Sequence, residues 1–417
     1  MGRGGAPWGP GPGSTWRAIP GRAAWSSTMW RKYWSSMQFR DVIGQEVAKR
    51  QLRQRFNEGR MPHAMMLSGP TGAGGFPLAL ALAQYMACRH RSEEDSCGQC
   101  PTCRKMAKVA HPDLHFCLPL LRNRESDDPA TVEAEMLDAL RAQLEESPYF
   151  SESEWYARLG DSAKQGSISA AASRRVVETL WLKSFEIPYK FMLLWLPERM
   201  HPAAANRLLK IIEEPPEGTY FILLSARPSE VLPTIASRVQ QTLLPPLEPQ
   251  TIAAALEARG MAQGPTAREI AQASQGDFTT AQQLAAAGGD SPYLPLMRDL
   301  YRGAIANRYP ELMEWVDGVA KLGREPQKEM LTYFARMVRE MYMFNLGQGE
   351  LCFSIGRERD FAQRVSPYVH GRNVGWLLDE YNLALHQIAR NGNPSIIFTD
   401  MAIRHSRMVL LKLKPQG

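Results

Sequence analysis

The chain has 417 residues, about three domains' worth at ~150 residues each, and 44% of them are hydrophobic, which excludes a mini-protein and supports several ordinary cores. Its formal net charge is +6, but residues 1–36 carry Arg3, Arg17, Arg22, Arg31 and Lys32 with no acid, so the remaining body is close to neutral. The longest apolar run, Phe191 to Pro197, is far short of the ~18 residues a membrane span needs, and no amino-terminal block resembles a signal-peptide core. The expectation is a cytoplasmic protein with no membrane partner.

Residues 1–36 hold seven glycines, four prolines and five of the ten tryptophans, with no helical or strand period. They read as a disordered extension or a mis-assigned start, with translation beginning at Met37 or Met29. Their lack of acids suggests an organelle transit peptide, but the Gly and Pro content would break the amphipathic helix that such a peptide uses.

From Met37 the pattern is ordered. Phe39 to Glu46 leads into a helical stretch ending near Glu58, His63 to Ser68 reads as a short buried strand, and Leu78 to Ala87 as an apolar helix after a glycine-rich turn. Asp113 to Leu118 reads as a second strand. Residues 121–165 are polar, acid-rich and loosely helical, as a surface insertion would be. Helix at 169–183, strand at 190–196, helix at 203–213 and strand at 220–224 follow, and this alternation predicts a mostly parallel sheet covered by helices. Pro245-Pro-Leu-Glu-Pro249 reads as a linker. After it come three small helices, 251–260, 267–274 and 280–287, and then longer ones such as 326–344 and 373–390.

The turn between first strand and helix, Gly69-Pro-Thr-Gly72-Ala-Gly74-Gly75-Phe76, has the glycine spacing of a phosphate loop, whose backbone N–H groups surround phosphates ahead of a helix N-terminus. An ordinary strand-to-helix turn would have the same composition. A working loop needs Lys and then Ser or Thr where this chain has Gly75 and Phe76. Pro77 is expected to push Phe76 out of helical geometry and delay the helix. The strand at 190–196 ends in apolar residues where a magnesium-holding acid belongs, and Glu198, two residues beyond, reads as a solvated helix-start residue. Autonomous ATP hydrolysis is not expected.

Cys88, Cys97, Cys100 and Cys103 place four thiolates within sixteen residues, with Gly98 and Pro101 allowing tight turns between them. A closed tetrahedral zinc site fits best. An iron–sulfur cluster lacks its fourth Cys-Pro, and four unliganded cysteines are the plain alternative. Arg89, His90, Arg91, Arg104, Lys105 and Lys108 surround the cluster. They either contact DNA phosphates or offset the −2 formal charge of a four-thiolate zinc centre. Cys117 and Cys352 sit in apolar runs and read as buried small hydrophobes.

His63-Ala, Gly69-Pro, the four cysteines, Asn206-Arg-Leu-Leu-Lys-Ile-Ile-Glu-Glu-Pro-Pro-Glu217 and Ser237-Arg238 together resemble the bacterial DNA polymerase III clamp-loader family. The resemblance covers about residues 37–120 and 166–285, while 286–417 agrees only in being helical. In its degenerate phosphate loop the chain is similar to the delta-prime branch rather than to the tau/gamma ATPases.

The resemblance implies an α/β plus all-α architecture. An AAA+-like P-loop NTPase domain with a parallel sheet and zinc module spans 37–246, a small helical lid 247–288 and a C-terminal helical collar 289–417. It implies that Arg238 is an arginine finger acting in trans on ATP held by a neighbouring subunit, with Val239 in place of the family's Cys. Thr279 stands where related motor subunits carry a nucleotide-sensing arginine. The implied partners are the tau/gamma and delta subunits and, through the complex, the sliding clamp and primed DNA. The implied cofactor is structural zinc on Cys88, Cys97, Cys100 and Cys103, and Gly69, Gly72, Gly74 and Gly75 form a phosphate loop expected to be inactive. The competing readings are a tau/gamma-like ATPase with an atypical loop, a zinc-dependent DNA-binding protein, and a structural helical adaptor.

Overall fold

The computed structural model describes residues 37–121, 128–160, 165–288 and 291–411. The extension expected over 1–36 lies outside the described residues, as do the stretches 122–127 and 161–164 of the expected insertion.

The elements run in chain order as α1 (Glu46–Asn57), β1 (Ala64–Ser68), α2 (Gly75–Ala87), α3 (Pro101–Ala107), β2 (Leu114–Cys117), α4 (Pro129–Glu146), α5 (Glu152–Arg158), α6 (Ala170–Trp181), β3 (Lys190–Trp195), α7 (Pro202–Glu213), β4 (Thr219–Ser225), the one-turn α8 (Pro233–Ala236) and β5 (Gln240–Leu243). The strands form one parallel sheet in the order β2-β3-β4-β1-β5. All residues of β1 and β3 are buried, as strands covered on both faces must be. Their side chains alternate between two cores: Met65, Leu67, Phe191, Leu193 and Trp195 face α2, while Ala64, Met66, Met192 and Leu194 face the side of α6 and α7. Helix α2 is buried from Phe76 to Ala87.

Helices α9 (Pro249–Ala258), α10 (Gly264–Ala273) and α11 (Phe278–Ala286) enclose a third core, which Ile43 and Tyr149 join from the α/β part. Six more, α12 (Leu294–Ile305), α13 (Tyr309–Ala320), α14 (Arg324–Asn345), α15 (Gly356–Val365), α16 (Val374–Ala389) and α17 (Pro394–Val409), surround a fourth. This is the parallel α/β sheet with a helical C-terminal region that the alternation of elements and the resemblance lead one to expect. Among the described residues no helix is long and apolar enough to cross a membrane.

Several expectations change. Strand β5 has no apolar signature, because only Thr242 of its four residues is buried; it is a strand because β1 offers it an edge. Pro77 does not delay α2, which starts at Gly75. Pro77 falls in the first turn, where backbone N–H groups have no intrahelical acceptor and a missing donor costs nothing. The 121–165 stretch is not peripheral, since Leu140, Leu144, Phe150, Trp155 and Tyr156 enter the core facing α2. Pro249 opens α9 rather than ending a linker. Cys117 is buried, but Cys352 is only half-buried and its thiol donates to the Glu340 carbonyl at 3.6 Å.

Candidate functional site

The glycine loop follows the C-terminal end of β1 and leads into α2, so its backbone is built as a phosphate cradle is. Gly72 and Gly74 have φ of +75° and +94°, which only glycine adopts without strain. Gly69 lies so close to the Leu244 carbonyl that a Cβ would come within 2.3 Å of its oxygen. Gly75 is unconstrained: a Cβ there would meet only the Leu244 side chain at 3.6 Å.

The loop lines a cavity of about 330 Å³ together with Tyr149, Phe150, Glu152, Trp195, Leu196 and Arg227. Phe76 occupies the hydroxyl position with a ring 5.2 Å from Phe150 and 6.2 Å from Trp195, and Phe150 and Trp195 lie 4.9 Å apart. Phe76, Phe150 and Trp195 thus form an aromatic cluster at the end of the glycine loop. Glu198 does start a helical turn, Pro197–Arg199, but it is half-buried and partnered rather than simply solvated. Its carboxylate accepts from the Ser225 hydroxyl at 2.9 Å, and burial raises its pKa above the ordinary carboxylate range.

The sulfur atoms of Cys88, Cys97, Cys100 and Cys103 all lie within 4.8 Å of one another, with Cys97 and Cys103 at 3.9 Å. Four thiolates at ~2.3 Å from one tetrahedral ion would be roughly 3.8 Å apart, so the arrangement fits zinc. Cys88 caps the C-terminus of α2, and Cys100 is the N-cap of α3 with Pro101 behind it. Backbone N–H groups of Cys97, Cys100 and Cys103 donate to the sulfurs of Cys88, Cys97 and Cys100 at 3.3, 3.4 and 3.4 Å. Burial pushes the Cys88 and Cys103 thiols up; at Cys97 the N–H donors outweigh burial and bring the thiol to about 6.

The module is bonded to the start of the body: Asp95 accepts from the N–H groups of Phe39 and Arg40 at 3.0 Å each. Three of its cations have partners within the chain. Lys105 pairs with Glu186, Arg89 donates to the Glu186 carbonyl at 3.1 Å, and Arg91 donates to the Cys88 carbonyl at 3.1 Å.

Arg238 lies between α8 and β5, at the N-terminal end of the parallel strands, whereas the glycine loop follows their C-terminal end. Four strand residues separate the two ends, roughly 13 Å at ~3.3 Å per residue, so the side chain serves a different face from its own loop. Its Nε is 3.1 Å from Glu213 and its Nη1 donates to the Thr234 carbonyl at 2.9 Å. Val239 packs against the core beneath, so the substitution for Cys leaves the turn supported.

Residues 44–248 match the family described as "DNA polymerase III, delta subunit". This segment belongs to the DNA polymerase III delta/delta-prime clamp-loader family. The DNA polymerase III subunit delta-prime of Pseudomonas aeruginosa is 31% identical over 226 residues, 53% of this chain and 55% of that protein. The Yersinia pestis delta-prime subunit is 29% identical over 49% of this chain and 45% of its own length, and the Mycobacterium tuberculosis gamma/tau subunit 27% identical over 55% and 32%. The matches thus span less than two thirds of these relatives' own length. Among solved structures, a DNA polymerase III gamma subunit-related protein of Thermotoga maritima aligns with 86% of this chain and 99% of its own at 16% identity and a TM-score of 0.38.

In this chain the loop is closed by residues that reading the sequence missed. Asp277 caps α11, accepting from the N–H groups of Thr279 and Thr280 at 2.8 and 3.1 Å, and presses on the loop so closely that a Cβ on Gly72 would sit 1.8 Å from its carboxylate. Burial pushes the Asp277 pKa up to about 7. Tyr149 accepts from the Ile43 N–H at 2.8 Å and packs on Phe278 at 5.0 Å. Glu152 accepts from Arg227 at 3.1 Å. None of these lies near the glycine motif in sequence, and the Asp-x-Thr-Thr capping pattern at 277–280 was the one available signal.

Proposed function

We propose that this chain is the delta-prime subunit of the DNA polymerase III clamp loader, helping load the sliding clamp onto primed DNA. In this reading it assembles with the tau/gamma and delta subunits and does not turn over ATP itself. The observation that carries the reading is the aromatic cluster of Phe76, Phe150 and Trp195 at a glycine loop of otherwise intact backbone, in a member of this family. A loop without a lysine ammonium, a metal-holding hydroxyl and a strand-end acid has nothing to neutralise β- and γ-phosphate charge.

The chain's contribution is then made across a subunit boundary by Arg238. Its planar, permanent cation suits the charge that spreads over the equatorial oxygens of a transferring phosphoryl group. In the isolated chain Glu213 is its counter-ion, and the neighbour's triphosphate takes that place on assembly. Zinc on Cys88, Cys97, Cys100 and Cys103 would tie α2, α3 and the amino-terminal helical turn at Phe39 and Arg40 into one unit. Related gamma/tau subunits favour a second reading as an ATPase, against which the buried ring of Phe76 counts. The partnered cations beside the cysteines count against autonomous DNA binding.

Reconstitution tests the proposal. With tau/gamma, delta, clamp and primed DNA, the chain is expected to support clamp-stimulated ATPase, and Arg238→Ala to depress it with assembly intact. An arginine finger is worth ~10³–10⁵-fold at the site it serves. Unchanged hydrolysis in that variant removes the finger, and failure to assemble removes the delta-prime reading.

A further inference from the structure

One short helix touches the sheet, the glycine-loop pocket and both groups of C-terminal helices. Helix α5 packs into the sheet core through Trp155 and Tyr156, and the Trp155 indole donates to the Pro119 carbonyl at 2.8 Å. Its first turn points elsewhere. Glu152 lines the glycine-loop cavity, accepts from Arg199 through both oxygens at 2.5 and 2.9 Å, and accepts from Arg227 at 3.1 Å. Arg199 reaches on to Glu325 of α14 at 3.5 Å, where Lys328 pairs with the same carboxylate at 2.5 Å. Ser153 donates to Glu329 of α14 at 2.5 Å, whose second oxygen accepts from the Tyr293 hydroxyl at 2.7 Å. Glu154 accepts from Gln283 of α11 at 3.1 Å.

Three consecutive side chains therefore point to the glycine-loop pocket, the C-terminal helices and the α9–α11 cluster. Glu152, Arg199 and Glu325 are each at most 13% exposed in their side chains, so every charge in this chain of contacts depends on its neighbours for solvation. Burial would raise the Glu152 pKa, but the Arg199 and Arg227 guanidinium groups hold it below the ordinary carboxylate range, so it stays ionised.

We propose that α5 is a strut that holds the glycine-loop pocket, the α9–α11 cluster and the C-terminal helices as one body, with the Glu152 carboxylate as the pocket's built-in anion. In place of a bound ligand, Glu152 satisfies the cations Arg199 and Arg227. The orientation of the helical parts is thereby set by the chain itself and not by occupancy of the pocket. The inference rests on the contacts alone and stands whether or not the chain is a clamp-loader subunit.

Hydrogen exchange on the full chain, read by mass spectrometry, tests it. Glu152→Gln removes the charge that holds Arg199 and, in the same chain, Glu154→Ala removes the acceptor of Gln283; residues 278–286 and 326–334 are expected to exchange at least about tenfold faster while β1, β3 and β4 keep their protection. A second, milder variant, Glu329→Gln, weakens only the arm to α14 and is expected to speed 326–334 while leaving 278–286 unchanged. It decides the matter if the double variant does not fold. Unchanged protection in both segments overturns the strut, as does a uniform loosening of the sheet along with them.

Discussion

Giving the glycine loop back its two missing side chains, with Gly75→Lys and Phe76→Thr together, is expected to leave the chain silent toward ATP and to cost stability. The two positions differ. At 75 the backbone is helical and a Cβ meets only Leu244 at 3.6 Å, so lysine is accommodated and gains up to ~1 kcal/mol over glycine from helix propensity. At 76 a ring that is 7% exposed is removed from between Phe150 and Trp195, and a hydroxyl is placed among apolar faces. Truncating a buried Phe costs ~3–5 kcal/mol, so a net loss of about 2–4 kcal/mol follows.

The pair restores charge and a hydroxyl but not the rest of the chemistry. Trp195 and Leu196 still stand at the end of β3, and the Glu152 carboxylate still faces the loop. Denaturant unfolding followed by tryptophan fluorescence measures the first expectation, and steady-state phosphate release with magnesium and ATP the second. Turnover by the double variant would refute the argument that the missing acid and the built-in carboxylate also silence the site. A stability change below about 0.5 kcal/mol would show that Phe76 is not part of the core.

Other outcomes can be checked independently. Metal analysis of the purified chain is expected to give one zinc per chain, and Cys100→Ser, which removes a thiolate and the cap on α3, to lower it sharply. Asp277, with its pKa pushed up to about 7 in the folded chain against an ordinary 3.8, binds its proton more tightly folded than unfolded. Its contribution is therefore fully present below about pH 4 and lost as pH rises toward 7. Asp277→Asn keeps the cap and removes the titration, so its stability relative to the parent should be greatest at pH 8 and shrink toward pH 5; a pH-independent difference would contradict this. Gly72→Ala should be among the most damaging single-methyl additions, because φ is +75° and the Cβ would overlap the Asp277 carboxylate; a cost under ~1 kcal/mol would mean that the loop and α11 are not in contact.

The sequence by itself determined the parts whose signal is local. Continuous apolar runs marked β1, β3 and β4, the glycine spacing marked the loop, and four cysteines in sixteen residues marked the metal-ligand cluster, because each of these patterns needs only neighbouring residues to have meaning. The absence of lysine and hydroxyl at Gly75 and Phe76 was equally plain. Only the tertiary structure decided what fills the space they leave. Strand β5 is polar and owes its existence to an open edge on β1; Glu198 and Asp277 look like surface acids until neighbouring elements partly cover them and raise their pKa. The acid-rich 121–165 stretch reads as surface because its charges are many, yet Phe150 and Glu152 line the pocket, and Ser153 and Glu154 connect it to the helices beyond. Burial and pairing are properties of distant residues meeting, and no window of sequence contains them.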